Sequence, residues 1–215
     1  GIRDLIMSRG LGDVYKRQNK SMALGTNTLA SGINATAISS NATAVGNNSI
    51  AIGVFSTALS ANSQAFGVKA YADGTNAVAI AANSNATGSN SMAIGVDAIA
   101  NKINTVALGT KAVASGNGAL SFGANAQATA LDTMAFGVNS LANQANATAI
   151  GRDAQATSTN AIALGLFSQA GGNVAVAIGM NATALANESM AVGAFANASQ
   201  NNALALGTGA EAIAV

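Results

Sequence analysis

The chain has 215 residues, of which 50% are hydrophobic (chiefly Ala), 4% aromatic and 8% charged, with a net charge of +1. Large side chains that fill ordinary cores are scarce, so any core must be thin, and the near-neutral charge gives no sign of nucleic acid or another polyanion as partner. Cys and His are absent; this removes disulfides, thiolate metal sites and the commonest general base and metal ligand, and no apolar run reaches the ~18 residues of a membrane-crossing helix.

Residues 1–19 differ in character from the rest of the chain. They hold Arg3, Arg9, Lys16 and Arg17 together with Asp4 and Asp13, and they lack the apolar stretch and small-residue cleavage site of a signal peptide. Two readings stay open for this leader: translated adapter or vector sequence, suggested by Leu11 to Gln18, or a natural but disordered segment.

From residue 20 to residue 215 the chain is one repeat. Asn90-Ser91-Met92-Ala93-Ile94-Gly95 shows the unit, and relatives of it close on Gly53, Gly109, Gly179 and Gly193. The closing position recurs every 14 residues from 25 to 207 without insertion or deletion, and is Gly everywhere except Ser39 and Ala81. So strict a period marks a repeat architecture. Five residues past each closing position stands Ala, as in Ala58, Ala100 and Ala142; twelve past it stands Ala again, as in Ala93, Ala107 and Ala177, with Ser121 the exception. Two residues before each of these columns lies another small residue. Spacing of two is the period of a strand, and although Ala favours helix, a Gly-, Asn- or Asp-bearing bend every seven residues would break a helix repeatedly. Each unit therefore predicts two short strands and two tight turns, with like strands stacking in parallel. The fold class is all-β, a parallel β-roll solenoid. At about 4.8 Å per rung, thirteen steps give a rod of about 60 Å.

The inward columns are the small ones (Ala58, Ala93, Ala100, Ala107, Ala142, Ala177), and the turns centre on Gly53, Gly95, Gly109, Gly179 and Gly193. Outward faces differ. The first strand of each unit shows mixed, mostly polar residues, among them Thr57, Tyr71, Asp73, Gln127 and Gln155, which form the candidate ligand surface. The second strand shows two apolar columns, one through Ile50, Met92, Val106, Val176 and Met190, the other through Ile52, Ile94, Leu108, Ile178 and Val192. A strand apolar on both faces is buried on both. With the interior already filled by Ala, a partner must cover the other face, and leaving it in water would forfeit on the order of tens of kcal/mol. An obligate homo-oligomer is expected.

The Asn-Ser-Met-Ala-Ile-Gly at 90–95, the related Asn48 to Ser56 and the fixed 14-residue step resemble the head repeats of trimeric autotransporter adhesins, the YadA-like head in particular. The resemblance spans about residues 20–215. It implies a left-handed roll, a homotrimer, and a virulence-associated place on the bacterial cell surface, anchored in the outer membrane through parts outside this chain. The partners it implies are a host extracellular matrix protein such as collagen or fibronectin, a cell-surface receptor, or other bacteria. The chain reads as a fragment lacking the neck, stalk and anchor of the family, and this segment is not itself membrane-embedded.

No chemistry competes with that reading. Asp97 and Asp153 sit at equivalent turn positions too far apart for a catalytic pair, the glycine turns lack the Lys of a phosphate loop, and no calcium nonapeptide is present. No enzyme, metal or cofactor is expected. Asn34, Asn48, Asn62, Asn76, Asn90, Asn104, Asn146, Asn160 and Asn202 share one column and read as turn or ladder residues. Asn-x-Ser/Thr triplets such as those at Asn34, Asn41, Asn85, Asn146, Asn181 and Asn197 read as chance products of the composition. Phe55, Phe167 and Phe195 share a turn column and are read as packing across the trimer interface, with exposed anchors for a ligand as the alternative. A structural spacer or phage-fibre segment is the rival function. An ice-binding solenoid fits poorly, because the outward columns are not regular Thr ladders.

Overall fold

In a computed structural model, which describes residues 14–16 and 20–212, every regular element is a strand of two or three residues. Ala-rich sequence is overruled locally. Twice in each 14-residue coil the backbone enters positive φ at a turn, as at Phe55 (φ 59) and Asn62 (φ 58), and the closing glycines take φ near that of Gly53 (136). None of these conformations belongs to a right-handed helix.

The two turns of a coil share one design. Ser56 N–H donates to Gly53 O at 3.0 Å and Ser63 N–H to Ser60 O at 3.2 Å, so each turn closes from its first to its fourth residue with positive φ at the third. That is the requirement of a type II turn, which favours Gly or Asn there. Between the turns lie the strands, and each bonds to the strand 14 residues away.

The chain divides into two units, Gly1–Asp97 and Ala98–Val215. In the first, Val14–Lys16, Thr28–Ala30, Thr43–Ala44, Thr57–Ala58, Tyr71–Ala72 and Asn85–Ala86 follow one another in one sheet, and Met22–Leu24 through Ile50–Ile52 to Met92–Ile94 in another. In the second unit, Ile99–Ala100 to Glu211–Ala212 and Val106–Leu108 to Leu204–Leu206 form the corresponding ladders. Pairing is parallel and in register, with Ala51 against Ala65 and Ala163 against Ala177. Each unit is thus a β-solenoid of 14-residue coils. The strand Val14–Lys16 pairs with Thr28–Ala30, Val14 opposite Thr28, so part of the segment read as a leader continues the 14-residue register. The rest of that leader lies outside the described residues.

The core sits between the two sheets of each unit and is made of small residues. Ala58, Ala93, Ala100, Ala107, Ala142 and Ala177 are fully buried, as are Ser49, Ser56 and Ser63. Buried hydroxyls mostly return to the turn they belong to: Ser63 Oγ donates to Ser60 O at 2.7 Å and Thr105 Oγ1 to Lys102 O at 2.7 Å. Ser121, standing in the Ala column, donates to Ala126 O at 2.7 Å. So thin an interior holds the coils close, and the closing glycines show how close. A Cβ at Gly53 would lie 2.4 Å from Gly67 O. Ser39 and Ala81 carry a Cβ at this position and adopt φ 102 and 100, well short of the glycine values, so they escape the clash by rotating the backbone.

Candidate interaction surfaces

Because successive side chains of a strand point to opposite faces, burying Ala51 or Ala93 fixes their neighbours outward. Ile50, Ile52, Met92 and Ile94 lie on the outer face of the second-strand ladder in the first unit; Val106, Leu108, Val176, Ile178, Met190 and Val192 lie on the same face in the second. All are only partly covered by their own chain, with Met92 38% and Leu108 40% exposed. Lateral neighbours supply what cover there is: Phe122 and Phe136, one coil apart, stack with ring centroids 4.5 Å apart and planes 5° from parallel. A few polar residues, Thr36, Gln64 and Thr148, interrupt the outer column. In each unit the result is an apolar stripe.

The outer face of the first-strand ladder carries Thr57, Tyr71 and Asp73 in the first unit and Gln127 and Gln155 in the second. Tyr71 Oη donates to Asp73 Oδ2 at 3.3 Å. Burial raises the Tyr71 pKa above the ordinary 10.0, and the Asp73 charge and hydrogen bond push in the same direction. Ser60 Oγ donates to the backbone carbonyl of Asp73, tying this pair to the preceding coil. Asn85 Oδ1, on the coil after Tyr71, is shielded from solvent without a hydrogen-bond partner. This face is mixed and mostly polar: Gln127 and Thr129 recur as Gln155 and Thr157, while Leu29, Ile99, Val113 and Leu141 are apolar.

The turns form two edges. On the edge before each second strand, Asn34 Nδ2 donates to Asn48 Oδ1 at 3.0 Å, Asn48 to Asn62 at 3.2 Å, Asn62 to Asn76 at 3.0 Å and Asn76 to Asn90 at 2.9 Å, an amide ladder running along the first unit. Asn146 and Asn160 repeat it in the second, and Asn202 donates to Glu188. One position earlier, Asn47 Oδ1 accepts from Ile33 N–H and Asn187 Oδ1 from Asn173 N–H, both at 3.0 Å. These backbone caps escape a sequence reading that follows a single Asn column; the recurrence of Asn 14 residues apart at Asn173, Asn187 and Asn201 is the signal that could find them. On the other edge, Asp97 accepts from Asn83 at 3.0 Å and Asp153 from Asn139 at 2.9 Å, while Arg152 approaches Asp153 at 3.5 Å and lies 5.5 Å from the Phe167 ring centre. Both carboxylates thus serve turns. Of the glycosylation-type triplets, Asn34 and Asn146 are engaged in ladders, Asn41 and Asn181 hold positive φ, and Asn85 and Asn197 lie within strands.

Among the described residues no group of three or more His, Cys, Asp or Glu could share a metal ion, and no helix is long and apolar enough to cross a membrane.

Comparison with known proteins agrees with the repeat. The family model described as the YadA head domain repeat (two copies) matches residues 19–38, 40–56, 58–80, 82–98, 86–112, 100–126, 128–154, 156–182 and 184–210. No curated protein matches. Among solved structures, the collagen-binding domain of the Yersinia adhesin YadA aligns at 24% identity over 75% of this chain and 67% of that one, with a TM-score of 0.33. The family model covers nearly every coil. The chain belongs to the family of YadA head repeats, the heads of trimeric autotransporter adhesins.

Proposed function

We propose that this chain forms a non-enzymatic adhesin head, a rigid homotrimeric rod on the bacterial surface that holds its polar faces toward a host matrix protein or cell. The observation that carries it is the contrast between the two ladders: one outer face apolar in nearly every coil and partly exposed in the single chain, the other varied and mostly polar. A monomer does not tolerate so long an apolar patch, and three chains closing around an axis cover it. Ile50, Ile52, Met92, Ile94, Val106, Leu108, Val176, Ile178, Met190 and Val192 are the proposed interface, and Thr57, Tyr71, Asp73, Gln127 and Gln155 the proposed ligand surface.

Adhesion by such a surface works through number. Many weak contacts along a repeat, tripled by symmetry, give avidity without one deep pocket. Collagen is the first ligand to test, because the Yersinia relative is a collagen-binding domain; fibronectin and whole cells follow. The test is binding of the full chain to immobilised matrix proteins. Retention that falls steeply when several coils are deleted, yet barely responds to T57A or Q155A alone, supports the reading. Loss of all binding from one such substitution contradicts avidity, and failure to bind any matrix protein or cell favours a spacer.

A further inference from the structure

The asparagines of the turns differ in how firmly their amides are held. Among the described residues, Asn stands at the second position of the turn before the second strand at Asn47, Asn117, Asn173, Asn187 and Asn201. Three of these side chains are tethered to the preceding coil. Asn47 Oδ1 accepts from Ile33 N–H at 3.0 Å, Asn187 Oδ1 from Asn173 N–H at 3.0 Å and Asn201 Oδ1 from Asn187 N–H at 3.1 Å. Asn173 is followed by Val174, whose branched side chain crowds the next backbone nitrogen. Asn117 has neither protection. It is exposed, its side-chain amide has no hydrogen-bond partner among the described residues, and Gly118 follows it. No other Asn-Gly pair occurs in the sequence.

Asparagines at the third turn position are held differently again. Asn62 accepts from Asn48 and donates to Asn76, and the next nitrogen, that of Ser63, closes the turn on Ser60 O at 3.2 Å. In the coil of Asn117 the third position is Gly118, at φ 70, so no ladder amide stands there. The turn closes through Ala119 N–H to Gly116 O at 3.1 Å, and Gly118 N–H donates to Ile103 O in the preceding coil at 3.0 Å. Asn117 O accepts from Asp132 N–H in the following coil at 2.9 Å. The 14-residue register thus fixes this peptide from both sides.

We propose that Asn117 is the site at which this chain undergoes spontaneous deamidation, with Gly118 supplying the attacking nitrogen and the bond to Ile103 restraining it. The Gly118 backbone nitrogen bonds to Asn117 Cγ, the Cγ–Nδ2 bond breaks, and Nδ2 leaves as ammonia with the proton from Gly118. Water then opens the resulting succinimide at either carbonyl, giving an aspartyl or an isoaspartyl residue. Glycine favours the attack because it has no Cβ to crowd the approach. Each event removes the chain's single net positive charge. It sets the new carboxylate in the coil next to Asp132, whose Oδ1 already lies against Gly118, 2.2 Å from where a Cβ would stand. The isoaspartyl form also lengthens the backbone inside a coil bonded in register on both sides.

The test is prolonged incubation of the full folded chain in mildly alkaline buffer, followed by peptide mass spectrometry for amide-to-carboxylate conversion at each asparagine. Conversion is expected to be at least about tenfold faster at Asn117 than at any other asparagine of residues 20–212. In denaturant, where the Gly118 bond to Ile103 is gone, the Asn117 rate is expected to rise by about tenfold or more. G118A restores the missing Cβ and is expected to slow the folded-state reaction by about tenfold. Val174 holds φ 57 at the same turn position, so the coil accepts a side chain there. Conversion at Asn117 no faster than at Asn62 or Asn173 in the folded chain, or a G118A rate equal to that of the wild type, overturns the assignment of the site. Equal rates in the folded and denatured chain overturn the restraint by Ile103.

Discussion

The two ladders of each coil start from the same interior and end with opposite surfaces. Both turn Ala and Ser inward, both pair in parallel at 14-residue steps, and both are bounded by the same turn. Outward, the first-strand ladder varies from Thr57 to Tyr71 to Asn85 over three coils, while the second keeps Ile52, Phe66 and Ile80. The fold needs only the inner columns and turns, so outer residues are free to carry function. In the proposed reading, a column that stays apolar without serving its own core serves a partner, and one that varies meets a ligand. That reading separates assembly from adhesion within a coil only 14 residues long.

The sharpest way to break this comparison is to put a charge on each ladder. I52D/I94D should abolish assembly, because an uncompensated buried charge costs several kcal/mol at each of three copies. T57D/Q127D on the other ladder should leave sedimentation and melting unchanged. Next in size is the interior that both ladders share. A93V adds two methyl groups to a solvent-free layer of small residues and should cost about 1–3 kcal/mol in thermal or denaturant unfolding, whereas A124V at a partly exposed turn should cost nothing measurable.

The closing turn should give effects of similar or smaller size and of both signs. G53A drives a Cβ toward Gly67 O and should cost about 1–3 kcal/mol. A81G, where φ is already 100, should raise stability by up to about 1 kcal/mol. The amide ladder comes next. N62A breaks hydrogen bonds to Asn48 and Asn76 in an exposed setting and loses a residue suited to positive φ, costing about 1 kcal/mol; N62G, which keeps the backbone preference, should cost less.

The smallest effect is a pH dependence on the polar ladder. The Tyr71 pKa is raised in the folded chain, so the folded state holds this proton more tightly than the unfolded one. Its contribution is fully present below the ordinary value of 10.0 and fades as pH rises through the folded pKa. Melting temperatures near and above pH 10 should therefore fall slightly more for the wild type than for Y71F, and the two should run parallel at neutral pH.

Much of this was legible in the sequence because a solenoid writes its structure as columns. Ala58 and Ala93 declare the interior by sharing a spacing of two with their small neighbours, and Gly53 declares a turn by recurring at Gly67, Gly95 and Gly109. What was hidden is conformation that residue type does not betray. Phe55, Lys69 and Val174 hold positive φ although nothing about their side chains invites it, since the coil imposes the turn on whatever residue arrives there. The strand Val14–Lys16 was obscured for a related reason: the register reaches back to it, but Leu11 stands where Gly is expected and Lys16 where Ala is. Among the surfaces, the apolar stripe could be read directly from its two columns.

The central claim is that the second-strand stripe is an interface between copies of this chain. Sedimentation velocity of the full chain at micromolar concentration tests it most directly. A single species at three times the 20.8 kDa chain mass, converted to monomer by I52D/I94D, is the expected result. A folded wild-type chain that sediments as a stable monomer with its stripe in water would contradict it.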